Sequence, residues 1–254
     1  MAYTTINKSS DYFNTKLYTA NNTGQSITGL NFQPDWTWIK SRDNTEKHTL
    51  QNVITGTGYE LTTQDGSAQN PTTTSITSFN SDGFTVGSAD NVNDGSLNYV
   101  SWNWKANGTG VSNTDGSITS TVSANTTSGF SIVKWTGSGG NATIGTGLNA
   151  VPKMIIVKSL ANATSWMVYH SAIGNNSEIY LNGTNAAAAS STAWQDTDPT
   201  SSVFYVAGGA GDGVNASGDY IAYCFAEKKG FSKFGSYTGN GSTDGTFVYT
   251  GFKP

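Results

Sequence analysis

The stretch "FSIVKWTGSGGNATIGTGLNAVPKMIIVKS", residues 130–159, decides the fold, because an earlier stretch of the chain repeats its pattern. That earlier stretch is "FNTKLYTANNTGQSITGLNFQPDWTWIKS", residues 13–41. Each has an apolar strand-like run, a Gly/Asn turn, Gly-Leu-Asn, and a proline (Pro34 or Pro152) that opens a second apolar run. Self-similarity of this kind predicts tandem copies of one structural unit.

The ends of the two copies match as well as their beginnings. "SDGFTVGSADNVNDGSLNYVSWNWKA", residues 81–106, corresponds to "SSVFYVAGGAGDGVNASGDYIAYCFAE", residues 201–227. Phe84 and Tyr99 in the first copy have Phe204 and Tyr220 as counterparts in the second. We therefore predict two complete units that begin and end with equivalent strands.

A third copy of the beginning follows in "YTGNGSTDGTFVYTGFKP", residues 237–254, where Tyr237 stands in the place of Tyr18 and Trp135. This partial repeat reads as a hairpin that breaks off at Pro254, the proline that would open the next strand. An isolated hairpin is marginally stable in water. We therefore expect Phe247 and Tyr249 to pack on an existing sheet, either in the second unit or in a neighbouring subunit.

These repeats divide the chain into four parts. Residues 1–110 are the first β-sandwich unit, and residues 111–129 are a linker or an edge strand. Residues 130–230 are the second sandwich unit, and residues 231–254 are the partial third repeat, a hairpin that closes unit two or docks on a neighbour.

The composition favours an all-β, antiparallel protein. Charged residues make up 12% of the 254 residues, about half the usual share, and Gly, Asn, Ser and Thr replace them. Short strands and tight turns need these residues. The net charge of −4 without a basic stripe argues against nucleic-acid binding, and no apolar run approaches a membrane span.

The chain has no secretory signal at its start and a single cysteine, Cys224, in the apolar run "DYIAYCFAE". We expect synthesis in a reducing bacterial cytoplasm and a buried, structural thiol.

Four tryptophans alternate along two predicted strands, in "DWTWIK" and "SWNWKA". The second unit has other large apolar residues in these places, so volume is what the positions need: Met154 and Ile156 for Trp36 and Trp38, and Tyr223 and Phe225 for Trp102 and Trp104. Core packing is the favoured interpretation, and a binding platform is the alternative.

Two further tryptophans have no aromatic counterpart in unit one. Trp194 lies in the polar loop "SSTAWQDTDPTSS" beside Asp196 and Asp198, a setting typical of sugar-binding sites, unless its ring folds back on its own domain. Trp166 begins the alternating run "WMVYH" and is expected to be half-buried. These four residues are the candidate ligand-binding set.

Motifs for catalysis are missing from the sequence. There is no Glu-x-Asp-x-Glu strand of the glycosidase type, no Gly-x-Ser-x-Gly elbow and no phosphate-binding loop. His48 and His170 lack neighbours at metal-ligand spacing, and His170 is expected to end a strand. The sequence therefore predicts a binding protein and no enzyme, with no cofactor.

Calcium is the one metal with a weak signal. "DNVNDG" and "GDGVNASGD" occupy equivalent places in the two units and carry oxygen ligands from Asp90, Asp94, Asp212 and Asp219. Against this, Asp-Gly is also the commonest signature of a tight hairpin turn.

Taken together, "YFNTKLYT", "DWTWIK", "SFNSDGFTVGS", "SGFSIVKWTG", "VPKMIIVKS" and "DYIAYCFAE" resemble a family of uncharacterised virion proteins of marine and aquatic tailed bacteriophages. The resemblance covers nearly the whole chain, with "NFQP" here in place of the family's "GFQP". It implies tandem concanavalin A/laminin-G-like (jelly-roll) sandwiches in a tail fibre or head-surface component. It transfers no catalytic residues, and longer relatives continue beyond the third repeat.

The resulting expectation is a virion structural protein exposed on the particle, which binds host surface glycans. Its partners would be other virion proteins and itself, as a homo-oligomer for which a trimer is one form. Inert capsid decoration, a polysaccharide hydrolase and a free lectin are the alternatives.

Overall fold

The structure is a computed structural model that describes residues 4–191, 193–208 and 214–252. The first nine strands form what we call unit one: β1 (Phe13–Thr19), β2 (Gln25–Thr28), β3 (Trp36–Ser41), β4 (Thr49–Asn52), β5 (Gly56–Thr62), β6 (Asn70–Pro71), β7 (Ile76–Asn80), β8 (Gly83–Val86) and β9 (Asn98–Trp104). The next ten form unit two: β10 (Val111–Asn113), β11 (Ser120–Asn125), β12 (Phe130–Gly137), β13 (Ala142–Gly145), β14 (Pro152–Ser159), β15 (Met167–His170), β16 (Ser177–Tyr180), β17 (Ala188–Ala189), β18 (Val203–Val206) and β19 (Gly218–Ala226). A 3-10 turn (Ser9–Asp11) and a four-residue helix α1 (Asp90–Asn93) are the helical elements of the described residues.

The described residues form four antiparallel sheets in four layers, so the prediction of an all-β sandwich protein is confirmed. A three-stranded sheet, in the order β2-β8-β7, packs on a six-stranded sheet, β1-β9-β3-β4-β5-β6. The six-stranded sheet packs on an eight-stranded sheet, β10-β11-β12-β19-β14-β15-β16-β17, and that sheet packs on the pair β13-β18. Each unit is thus one large and one small sheet, and the two large sheets face each other.

Equivalent aromatic residues fill the core of each unit. The rings of Tyr18 and Tyr99 stack at 5.3 Å in unit one, and those of Trp135 and Tyr220 stack at 5.3 Å in unit two. Beneath each stack lies a phenylalanine of the small sheet, Phe84 or Phe204, in edge-to-face contact. The pairing inferred from the repeat therefore reflects shared core contacts.

The equivalent lysines of the two units, Lys40 and Lys158, make equivalent hydrogen bonds. Lys40 Nζ donates to the carbonyls of Ser41 and Asn44, both at 2.8 Å. Lys158 Nζ donates to the carbonyls of Ser159 and Asn162, at 2.9 and 3.2 Å. Each lysine thereby satisfies the carbonyls of the turn that follows its strand.

The two units pack on each other through an aromatic interface centred on Trp36, which is 1% exposed. Its indole stacks on Tyr223 of unit two at 4.1 Å and on Trp104 of its own unit at 4.3 Å. The hydrogen bonds that cross the interface include one from Asn52 Nδ2 to the Tyr223 hydroxyl (3.2 Å) and one from Trp166 Nε1 to the Thr62 carbonyl (2.9 Å). Burial also raises the pKa of Tyr223, which keeps this hydroxyl protonated.

The segment between the units contains two strands. β10 and β11 extend the eight-stranded sheet, with Val122 of β11 opposite Val133 of β12. Residues 111–129 were predicted to be either a linker or an edge strand, and in the structure they contribute strands at the edge of this sheet. At the beginning of the described chain, residues 4–6 form no strand, and Ile6 is buried.

The expected packing of Phe247 and Tyr249 on a sheet of their own chain is wrong. Residues 233–252 form no strand, and Phe247 and Tyr249 are 85% and 73% exposed. Thr246 Oγ1 donates to the Thr238 carbonyl (2.8 Å) and closes a turn, without a strand ladder behind it. The alternative of docking on a neighbouring subunit stays a prediction.

Within the described residues, no helix is long and apolar enough to cross a membrane.

Candidate ligand-binding cleft

An apolar cavity of about 490 Å³ is lined by residues of both large sheets. Its walls are mostly aromatic, and come from both units and from the segment after β19: Tyr12, Phe13, Trp36, Trp38, Trp104, Phe130, Met154, Ile156, Phe225, Phe231, Phe234 and Phe252. The strands deliver these side chains because alternate residues of β3, β9, β12 and β19 point to the same side.

The walls of the cavity are held by ring-to-ring contacts. Phe130 and Phe225 lie 5.1 Å apart, and Phe13 lies 4.9 Å from Trp104. The hydroxyl of Ser128, on the cavity wall, donates to the Asn125 carbonyl, so it is already engaged. The cavity therefore suits apolar groups, and Phe252 of the third repeat lies at its wall.

Beside this cavity lies a second, more open recess of about 250 Å³, which we call the tryptophan groove. It is lined by Trp38, His48, Trp102 and Trp104. All three indoles are partly exposed, and Trp38 meets Trp102 edge-to-face at 6.3 Å. Thr15, which is exposed, pairs with Trp102 across the strands. The groove thus combines accessible aromatic faces with polar groups at its rim.

His48 is held in one neutral form. The Trp38 indole N–H donates to Nδ1 of His48 (2.8 Å), so in the neutral ring the proton lies on Nε2. Partial burial, with a smaller contribution from the charge of Lys40, lowers the pKa of His48. At neutral pH the groove therefore carries one imidazole N–H donor and no charge from this ring.

Of the four alternating tryptophans, one has the environment that core packing predicts, and three have the exposure that a binding platform needs. Trp36 is buried between the units, as core packing predicts. Trp38, Trp102 and Trp104 are partly exposed, which leaves their faces open to a ligand. The sequence alternation located these residues on one face of the sheet, but it did not reveal that unit two covers only part of that face.

Trp194 is not an exposed binding residue; its side chain is 2% exposed. The Gln195 side chain ties the loop to the small sheet of unit two by donating to the carbonyls of Ala142 (2.9 Å) and Val206 (2.7 Å). The indole consequently packs edge-to-face on Tyr169 at 5.8 Å. The ring folds back on its own domain, and the proposed sugar site at this loop is corrected.

The other members of that candidate set do not form a site with it. Trp166 is fully buried at the interface between the units, where it bonds to Thr62. Trp166 has no aromatic counterpart in unit one, and its indole contributes to the contact between the units. Asp196 and Asp198 are exposed, and Asp198 accepts a hydrogen bond from the Tyr169 hydroxyl (3.2 Å).

Of the weak calcium candidates, Asp219 has other partners. The carboxylate of Asp219 accepts from Thr136 Oγ1 (2.7 Å) and pairs with Lys134 (2.9 Å), and these contacts lower its pKa. Asp90 is the first residue of the short helix α1, Asp94 follows its last residue, and Asp212 lies outside the described residues. Among the residues that are described, no group of three or more His, Cys, Asp and Glu side chains could hold a metal.

Buried asparagines explain why the two loops look alike. Asn93 Nδ2 donates to the carbonyl of Gly87 (2.6 Å), and its Oδ1 accepts from the amide of Asn21 (2.9 Å). Asn215 Nδ2 donates to the carbonyl of Gly140 (2.6 Å), and its Oδ1 accepts from Trp135 Nε1 (3.1 Å). The asparagine of the shared Val-Asn thus holds the loop that follows β1 in unit one and the loop that follows β12 in unit two.

Cys224 and His170 take the structural roles expected of them. Cys224 is buried in β19, and burial raises the pKa of its thiol to about 12. His170 ends β15, and its Nδ1 accepts a hydrogen bond from the amide of Ala172 (3.1 Å).

The fold and the cleft define a class: an all-β protein of two stacked sandwich units with an aromatic cleft between and beside their large sheets. Residues 8–254 match the family described as Domain of unknown function (DUF7483), and the chain belongs to this family. Neither the curated proteins nor the solved structures include a significant match.

Proposed function

We propose that this chain is a structural protein exposed on a bacteriophage particle, and that it binds glycans of the host surface through the tryptophan groove. The observation that carries the binding part is the row of partly exposed indoles at Trp38, Trp102 and Trp104. The virion part is supported by the resemblance of the sequence motifs to virion proteins of tailed bacteriophages.

The chemistry of the groove suits a sugar ring. An indole offers a broad apolar face that can stack on the C–H face of a pyranose, and its surroundings stay hydrated. The neutral His48 ring and the Thr15 hydroxyl provide hydrogen-bonding groups beside that face. The residues that line the groove include no carboxylate, so the proposed action is binding and not hydrolysis.

A weak site of this kind becomes effective on a particle. Many copies on one surface make later binding events effectively intramolecular, which raises avidity by orders of magnitude. The low share of charged residues, 12%, also means that little of the interaction depends on charge that salt would screen.

The test is a glycan array and a host-envelope pull-down, with the protein displayed in many copies on beads. Trp102→Ala should reduce binding about fivefold or more, because truncation of an aromatic anchor at a binding site costs over about 1 kcal/mol. Tyr59→Ala is the matched control, since Tyr59 is an exposed aromatic (42%) that does not line the groove.

Binding that is unchanged in Trp102→Ala would contradict the groove as the binding site, and a blank array and pull-down would favour inert decoration of the capsid. Release of reducing sugars from the envelope would instead support the hydrolase alternative.

A further inference from the structure

The outer edge of β1 is open in unit one, whereas the equivalent edge in unit two is covered. β1 is the last strand of the six-stranded sheet and pairs with β9. Its counterpart β12 lies between β19 and β11, and β11 pairs along five residues of its outer side. In the described part of the chain, no strand takes the place of β11 beside β1.

This edge has few of the features that protect edge strands from pairing. It is seven residues long, contains no proline, and has one charged residue, Lys16. Leu17 is 60% exposed on the face that also carries Trp102. Natural edge strands are usually shorter, charged or covered, because an open edge is a template for another strand.

A strand-like segment without a partner lies elsewhere in the chain. Thr246–Thr250 has the β-branched and aromatic composition of a strand. Its three central side chains, Phe247, Val248 and Tyr249, are 85%, 52% and 73% exposed. The equivalent strands of the complete repeats, β2 and β13, are both paired in sheets. Three consecutive exposed apolar side chains mark an interaction site.

The base of this segment is fixed to its own chain while the rest projects. Phe252 lies at the wall of the aromatic cavity, and Tyr249–Gly251 line a recess against the turn at Glu227–Lys233. Within one chain the edge of β1 and Thr246–Thr250 are both available, yet they form no ladder. A second copy offers the same edge to a projecting segment.

We propose that Thr246–Thr250 of one copy pairs antiparallel with the outer edge of β1 of a second copy, in the place that β11 takes beside β12. Phe247 and Tyr249 then lie on one face of the added strand, and Val248 lies on the other. The contact is heterologous, so it closes into a ring or extends as a filament. It does not depend on the proposed glycan site.

The experiment is sedimentation velocity of the full chain across a concentration series, with two variants that block one side each. Leu17→Lys places a charge on the acceptor edge, and the double variant Phe247→Ser/Tyr249→Ser removes the apolar side chains of the donor. All three positions are exposed, so the fold should persist. Val111→Lys is the control, because Val111 is 67% exposed on a different edge strand, β10.

The wild-type chain and Val111→Lys should self-associate, and each blocked variant alone should be monomeric. An equal mixture of the two blocked variants should form a dimer, because one supplies an intact donor and the other an intact edge.

A monomeric wild-type chain would overturn the proposal. So would self-association of either blocked variant alone, which would indicate an edge-to-edge or tail-to-tail contact, and so would a mixture that stays monomeric.

Discussion

His48 is the residue at which the chemistry of the groove is most sensitive to pH. Its Nδ1 accepts the Trp38 indole N–H, and a protonated ring can no longer accept it. Because burial holds the pKa of folded His48 below that of the unfolded chain, the unfolded state takes up a proton first as the pH falls.

We therefore predict that His48 contributes stability above pH about 6.5 that is lost as the pH falls through its lowered folded pKa. His48→Gln keeps an acceptor for Trp38 but does not titrate. Its melting temperature should fall less than that of the wild-type chain between pH 7.5 and 5.5. Equal falls in the two proteins, measured by differential scanning calorimetry, would contradict the assignment.

Prediction from the sequence succeeded for residues whose environment is set by the strand in which they lie. Cys224 and His170 follow from their place in or at the end of apolar runs. Prediction failed for Trp194, because the polar residues of the surrounding loop suggested that its side chain is exposed. The Gln195 contacts that fold the loop inward join residues far apart in sequence. Nothing in a local pattern reports such contacts.

At the scale of the strand, the close approach of β2 and β8 holds the small sheet of unit one together. Gly83 of β8 pairs with Thr28, and a Cβ atom at Gly83 would overlap the Ile27 carbonyl. The backbone cannot yield without breaking the ladder on which Phe84 and the core beneath it depend.

Gly83→Ala should therefore lower the free energy of unfolding by about 2 kcal/mol or more, as measured by chemical denaturation. Gly58→Ala is the matched control, because a Cβ atom there has no neighbour within 4 Å. That variant should stay within about 0.5 kcal/mol of the wild-type chain. Two variants of equal stability would show that the two strands are not this close.

Most strands could be predicted from the sequence because the same alternation of apolar and polar residues occurs in both complete repeats. The strands of residues 111–125 were ambiguous, since their Ser, Thr and Gly also suit a linker; pairing with β12 decides the matter. The third repeat was predicted to be a packed hairpin because its sequence resembles that of β12 and β13. A strand also needs a partner strand, and within the described residues no strand pairs with Thr246–Thr250.

At the scale of the whole molecule, the decisive feature is that the large sheets of the two units face each other. The sequence assigned the tryptophans of β3 and β9 to a core, without showing that this core lies between the units. Unit two covers Trp36 but leaves the far part of the same face open. This partial cover creates both the cavity and the tryptophan groove.

The central claim is that the chain is exposed on a bacteriophage particle with its tryptophan groove available to host glycans. The most direct measurement is a cryo-electron microscopy reconstruction of particles purified from infected cells that produce this chain. The account predicts repeated density on the outer surface that fits two stacked sandwich units, with Trp102 facing solvent. Particles without such density, although the chain is produced in the infected cell, would contradict it.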